Sequence, residues 1–289
     1  MRILWYHYFI IISNTSSIST MLITKSTILN EGQKLLLPST FSDVTFRLLF
    51  GNSDLFQGIQ LNTPITYKLQ HNSGVAWYIL DACLMKMKCG ECAEFRINYL
   101  DQLIMVKLHL EDFKVAPDTW EMSVEQKHSL AAEMKLLGTN LLKGKEYLLA
   151  AEKYGLALKL LISDGCRAQP MDNHEEKISL IRMNMSLCFM KLNAYDGVIY
   201  HSKFVLDCLE NADVAVKIPK CQDLIIKTLY RRAWAYCQIN EFEKCKSDIS
   251  RVLELDPDNG ETSKLLSVVE SRVKQNDRKM SNNLRSMFR

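Results

Sequence analysis

Two rhythms of hydrophobic and polar positions divide this chain. Up to Val115, apolar residues recur in short runs: Ile23 to Leu29, Leu35 to Leu37, Val44 to Leu49, Ile65 to Leu69, Ala93 to Tyr99 and Leu103 to Leu110. Gly32, Pro38, Gly51 and Asn62-Thr63-Pro64 punctuate them, and alternating runs between turn residues predict strands. One stretch breaks the alternation. Trp77 to Lys88 places Trp77, Leu80, Ala82 or Cys83, Leu84 and Met87 at helical spacing and stops at Gly90. Strands enclosing one short helix predict a small α+β half-barrel domain. From Ser123 onward the period is helical, and one helix-turn-helix pattern recurs three times. Leu229, Ala233, Tyr236, Cys245, Ile249, Val252 and Pro257 give the fullest copy. Gly138, Leu141, Ala150, Tyr154 and Ala157 give another, and Ser186, Phe189, Val198 and Val205 with the turn Asn193-Ala194-Tyr195 give the third.

This placement of small residues where helices approach and large ones where they interlock is the pattern of a tetratricopeptide repeat. One helix pair cannot bury its apolar face, so three pairs and a capping helix over Gly260 to Val273 make a minimal stable array. The first pair is expected over residues 123–140 and 145–161. Insertions over 163–176 and 210–223 stretch the spacing beyond the usual length of about 34 residues. Ala116-Pro117-Asp118-Thr119-Trp120-Glu121-Met122 breaks the last strand, and Trp120 is expected to pack the first repeat against the half-barrel. The resulting domains are an extension over 1–21, the α+β domain over 22–117, the all-α repeats with their cap over 118–275, and a basic helical tail over 276–289.

Composition removes several function classes. A net charge of +3 and no Lys/Arg run interleaved with aromatics argue against nucleic acid as a partner. Nine cysteines, an odd number scattered through helical repeats, fit a reducing compartment, the cytosol or nucleus. Met1-Arg2 followed by Ile3 to Ile12 has the outline of a secretory leader but is too short to span a bilayer. Its His7 and aromatic residues, and the lack of a small-residue cleavage site, favour an upstream extension or an extra strand. Cys89-Gly90-Glu91-Cys92 has the spacing of a redox pair or half a zinc site, but zinc needs four ligands and no second pair lies at ligand spacing. Cys89 is expected to end the helix as a small buried residue, and Cys92 to enter a strand. The six histidines are isolated, and no nucleophile elbow, phosphate loop or dinucleotide fingerprint occurs. No catalytic residue, metal or cofactor is expected.

The run Leu84-Met85-Lys86-Met87-Lys88-Cys89-Gly90-Glu91-Cys92-Ala93-Glu94-Phe95 resembles the helix, Gly-Glu turn and strand of the FK506-binding immunophilins. Lys25-Ser26-Thr27-Ile28-Leu29-Asn30-Glu31-Gly32 resembles their opening strand and turn, and Asn62-Thr63-Pro64-Ile65-Thr66-Tyr67 their Asn-x-Pro-aromatic strand. The resemblance implies a prolyl isomerase fold, whose chemistry depends on a complete apolar cup that desolvates a twisted amide. Here the cup's residues are missing. Tyr99-Leu100-Asp101-Gln102 stands where the family has a longer loop bearing Tyr and His. The family's Phe-Asp pair and Arg find no match, since Leu61 precedes Asn62, and its floor tryptophan falls at Leu80, with Trp77 or Tyr78 in place only after a shift. The resemblance therefore implies an isomerase-like fold with an incomplete active site, and residual isomerase activity is the alternative.

The repeats resemble those that carry a carboxylate clamp for the C-terminal Met-Glu-Glu-Val-Asp of a heat-shock chaperone. Counted from each repeat's small residue, the clamp positions fall on Lys135 and Thr139 in the first repeat, Asn184 in the second, and Lys227 and Arg231 in the third. Four match in kind, and Thr139 puts a hydroxyl where the motif has an amide. Donors fixed on rigid helices bond closely spaced carboxylates with little reordering. Arg232, equally basic and one residue off the groove, is the internal control. The resemblance implies a cochaperone for heat-shock protein 90, and for heat-shock protein 70 as a second partner, with a client held by the N-terminal domain. A client adaptor independent of the chaperone is the other reading. The tail, with Met280, Leu284, Met287 and Phe288 among basic residues, fits a solvated helix extension or a calmodulin-binding segment. Its Leu284-Arg285-Ser286-Met287-Phe288, like Asp118-Thr119-Trp120-Glu121, resembles the FK506-binding-protein-like branch.

Overall fold

A computed structural model describes residues 21–30, 36–52, 54–72, 74–99, 102–163, 173–211, 215, 218 and 220–287. The chain divides into two compact units, Met1–Pro170 and Met171–Arg289. The first helix pair belongs to the same unit as the sheet.

In the first unit, β1 (Leu22–Asn30), β2 (Asp43–Gly51), β3 (Ile65–Lys68), β4 (Cys92–Tyr99) and β5 (Gln102–Lys114) form one antiparallel sheet in the order β1-β4-β5-β2-β3. Alternation puts Val44, Phe46 and Leu48 of β2, Ala93, Phe95 and Ile97 of β4, and Ile104, Val106, Leu108 and Leu110 of β5 into one core. Helix α1 (Val75–Leu84) covers that core with Ile79, Leu80, Cys83 and Leu84. It ends at Leu84 rather than near Lys88. Met87 nevertheless stays buried, because the turn after the helix returns it to the core, which is why the apolar spacing outlasts the helix. Leu36 and Leu37 belong to no strand. They are exposed and precede Pro38, which removes a ladder donor. β5 runs past Leu110 to Lys114 because its end pairs with the start of β2, Lys114 opposite Asp43. Gly90, at φ +77°, and the buried Glu91 form the turn before β4. The Glu91 carboxylate accepts from Lys25 Nζ at 2.5 Å and from the Lys88 backbone N–H at 2.7 Å.

Helix α2 (Val124–Lys143) begins at a capping box, with the Ser123 hydroxyl on the Gln126 N–H and the Gln126 side chain on the Ser123 N–H. It pairs with α3 (Tyr147–Leu161). In the second unit α4 (His174–Lys191) pairs with α5 (Tyr195–Leu209), α6 (Cys221–Gln238) with α7 (Phe242–Leu255), and α8 (Gly260–Met287) packs on α7. The three pairs close through one repeated turn. Lys145, Asn193 and Asn240 take the left-handed conformation at φ 64°, 56° and 62°. The next N–H then reaches back across the turn, Glu146 to Leu141 O, Ala194 to Phe189 O and Glu241 to Tyr236 O, each at 2.9 Å. This is a Schellman closure in triplicate, and it gives the repeat a backbone signature beside its side-chain one.

The N-terminal extension lies outside the described residues save Met21, and so do most of the first insertion, part of the second and the side chains of residues 282–289. Two further expectations fail. Trp120 is 77% exposed rather than packed, because Asp118 and Glu121 close a hydrogen-bonded turn that presents it to solvent. Cys89 does not end the helix as a buried residue. It sits half-buried in the following turn, its thiol donating to Glu111 O at 3.3 Å.

Candidate functional site

In the first unit, Lys135 and Thr139 lie one turn apart on α2, both half-buried. The Thr139 hydroxyl donates to the Lys135 carbonyl at 2.8 Å and stands 3.1 Å from the Tyr154 hydroxyl on α3. Tyr154 is fully buried against Gly138, where an added Cβ would sit 3.0 Å from the ring. The small residue of the repeat pattern is thus the seat of the large one.

In the second unit, Lys227 is exposed on α6 and Arg231 lies one turn on, half-buried. Arg231 Nη1 donates to the Met183 carbonyl of α4 at 2.7 Å and lies 3.5 Å from Ser186 Oγ. It therefore reaches the same turn of α4 that carries Asn184. Burial works against the Arg231 charge, so the guanidinium is partly committed to joining two repeats. Arg232, the intended control, makes a bidentate ion pair with Asp248 of α7 at 2.8 and 2.7 Å. It is thus a fastener within the third repeat rather than a solvated charge.

In the first unit the connection between β4 and β5 is short. Tyr99 pairs directly with Gln102, so two residues connect β4 and β5. Leu80 is buried in the core, while Trp77 packs on Tyr67 with ring centroids 4.9 Å apart.

A second polar cluster escaped the sequence reading. Asp81 of α1 accepts from Tyr67 Oη at 2.6 Å and from the Gln70 N–H at 3.1 Å. Lys153 of α3 donates to Gln70 O at 2.7 Å and to Gln70 Oε1 at 2.9 Å, and Tyr78 donates to Glu152 at 2.9 Å. Burial raises Asp81 to about 6 and Glu152 to about 7, against the pull of Tyr67 and Lys153 on the first and of Tyr78 and Lys153 on the second. Burial lowers Lys153. A carboxylate in the apolar helix Val75–Leu84 and a lysine between Ala151 and Tyr154 were the available signals. Among the described residues no group of three or more His, Cys, Asp or Glu is placed to hold a metal, and no helix is long and apolar enough to cross a membrane.

No protein-family model matches the chain. Over 210 residues it is 27% identical to FK506-binding protein-like of Mus musculus, covering 73% of this chain and 55% of that one. Over 186 residues it is 27% identical to peptidyl-prolyl cis-trans isomerase FKBP4 of Bos taurus, covering 63% of this chain and 37% of that one. The chain thus spans about half of the first relative and less of the second. It shares a fold with the crystal structure of residues 1–211 of CG17282, at a TM-score of 0.52 and 18% identity, over 64% of this chain and 100% of that one.

Proposed function

We propose that this chain, which is similar to the FK506-binding-protein-like immunophilins that carry tetratricopeptide repeats, is a non-catalytic cochaperone whose repeat groove takes the C-terminal Met-Glu-Glu-Val-Asp peptide of heat-shock protein 90. The observation that carries this reading is the pair Lys227 and Arg231, one exposed and one braced against Met183 O, a helical turn apart on α6. Two cations on one helix face suit a ligand with two carboxylates, and each charge-assisted bond contributes about 1.5 to 3 kcal/mol. The repeat register assigns Lys135 and Asn184 to the same donor set. Heat-shock protein 70 is the second partner in this reading, and the cytosol or nucleus the location. The sheet domain serves as a platform for a client protein, without isomerase turnover, because the two-residue β4–β5 connection leaves no loop to close a proline cup. A proline-peptide isomerisation assay on the full chain tests that half: rates at the uncatalysed level agree with it, and turnover comparable to an active immunophilin contradicts it. Binding of the chaperone to Lys227→Ala against wild-type protein tests the groove.

A further inference from the structure

The face of α6 that carries the two cations continues past Arg231. At 3.6 residues per turn, positions 227, 231 and 234 fall within about 60° of one another around a helix, so Trp234 stands on the face of Lys227 and Arg231. Trp234 packs against the core of Ala233, Cys237, Cys245 and Ile249, yet it is only half-buried. Tyr195, in the first turn of α5, stands edge-on to it with ring centroids 5.5 Å apart and is half-buried as well. The Tyr195 hydroxyl donates to Asn193 Oδ1 at 3.4 Å, in the turn that closes the second repeat. Two rings from neighbouring repeats are thus held together beside the cations. Rings fixed in this way offer apolar contact area at little ordering cost.

We propose, resting on the peptide-groove reading above, that Trp234 and Tyr195 form an apolar subsite that takes the valine of the Met-Glu-Glu-Val-Asp end. The rise from Arg231 to Trp234 is about 4.5 Å, and neighbouring residues of an extended peptide are about 3.3 Å apart. The residue next to an acidic one therefore reaches the rings. Valine is that residue, with Asp on one side and Glu on the other. Because the terminal carboxylate lies on the backbone itself, holding it leaves the valine side chain free to turn toward α6. Lys227 and Arg231 then set the demand for acid, and the ring pair sets which acidic tails are accepted. A tail with a polar residue at the valine place binds less tightly.

The test is a titration of the full chain with Met-Glu-Glu-Val-Asp and Met-Glu-Glu-Ser-Asp peptides. Wild type is expected to favour the valine peptide about fivefold, the effect of partly burying one valine. In Trp234→Ala that preference should fall below about twofold, and in Trp234→Phe, which keeps a ring, it should lie between. Since Trp234 also packs on the core, tryptophan emission gives a readout on the unaltered protein: it should shift on saturation with the valine peptide and shift less with the serine peptide. Trp234→Phe should remove that shift. A preference that stays about fivefold in Trp234→Ala, no emission shift in wild type, or a shift that persists in Trp234→Phe overturns the proposal. If wild type binds both peptides equally and loses both on amidation of their C-termini, this inference falls and the groove reading stands. If neither peptide binds, both fall.

Discussion

The Lys153 ammonium of the first repeat donates two hydrogen bonds to Gln70 of the sheet domain, at 2.7 Å to the backbone carbonyl and 2.9 Å to the side-chain oxygen. Gln70 holds a left-handed backbone, φ 69°, and its own N–H goes to Asp81. Asp81, Gln70 and Lys153 therefore link helix α1, the turn after β3 and helix α3 in one chain of bonds. Removing a single partner from a buried charged network leaves the others uncompensated, at about 3 to 5 kcal/mol. Lys153→Met is accordingly expected to destabilise the first unit by about 3 kcal/mol, measured by denaturant unfolding of the full chain. A change near zero would mean that the network contributes nothing.

The two units are expected to answer acid in opposite directions. Asp81 and Glu152 titrate near 6 and 7 in the folded protein, raised by burial, against about 4 when unfolded. Between those values the folded state holds protons that the unfolded state has lost, so lowering the pH from 7.5 to 5.5 stabilises the first unit. In the second unit, His201 is buried and stacked on Phe189 at 5.4 Å, with Arg182 3.5 Å from its Nδ1. Burial, then the Arg182 charge, lower it to about 3. Below about 6.5 the unfolded chain takes up a proton that the folded histidine refuses, so stability is lost. Hydrogen exchange at pH 7.5 and 5.5 resolves the units. Asp81→Asn with Glu152→Gln should remove most of the gain, and His201→Phe most of the loss.

Three neighbouring cations should separate by what they hold. Lys227→Ala is expected to weaken peptide binding about tenfold or more with no change in melting temperature. Arg231→Ala should weaken binding and also lower the melting temperature, because the bond from α6 to Met183 O of α4 is lost. Arg232→Ala should leave affinity near wild type and cost about 3 kcal/mol of stability in the second unit, because Asp248, 3% exposed, loses its bidentate partner. Equal loss of affinity in all three would contradict the groove assignment.

The repeats were legible in the sequence because their packing is local. Gly138 under Tyr154 and Gly197 under Phe189 are size matches within a single helix pair, and the Asn193 turn announces itself. The sheet was legible through alternation, and the short β4–β5 connection could be counted directly. What stayed hidden depends on contacts distant in sequence. Nothing near Lys153 points to Gln70, 83 residues away, and Arg232 reads as a solvated charge until Asp248 is brought beside it. At the site itself the residue types were readable, but whether each donor was free was not: Thr139 and Arg231 carry the right groups with part of their hydrogen-bonding capacity already used.

The central claim is tested most directly by calorimetric titration of the full chain with a Met-Glu-Glu-Val-Asp peptide and its C-terminally amidated copy, at two salt concentrations. Micromolar binding that weakens with salt and with amidation is the predicted result, since charge-assisted bonds to carboxylates are both screened and lost on capping. Binding indifferent to amidation and to salt would contradict the clamp and leave the repeats as an adaptor for some other ligand.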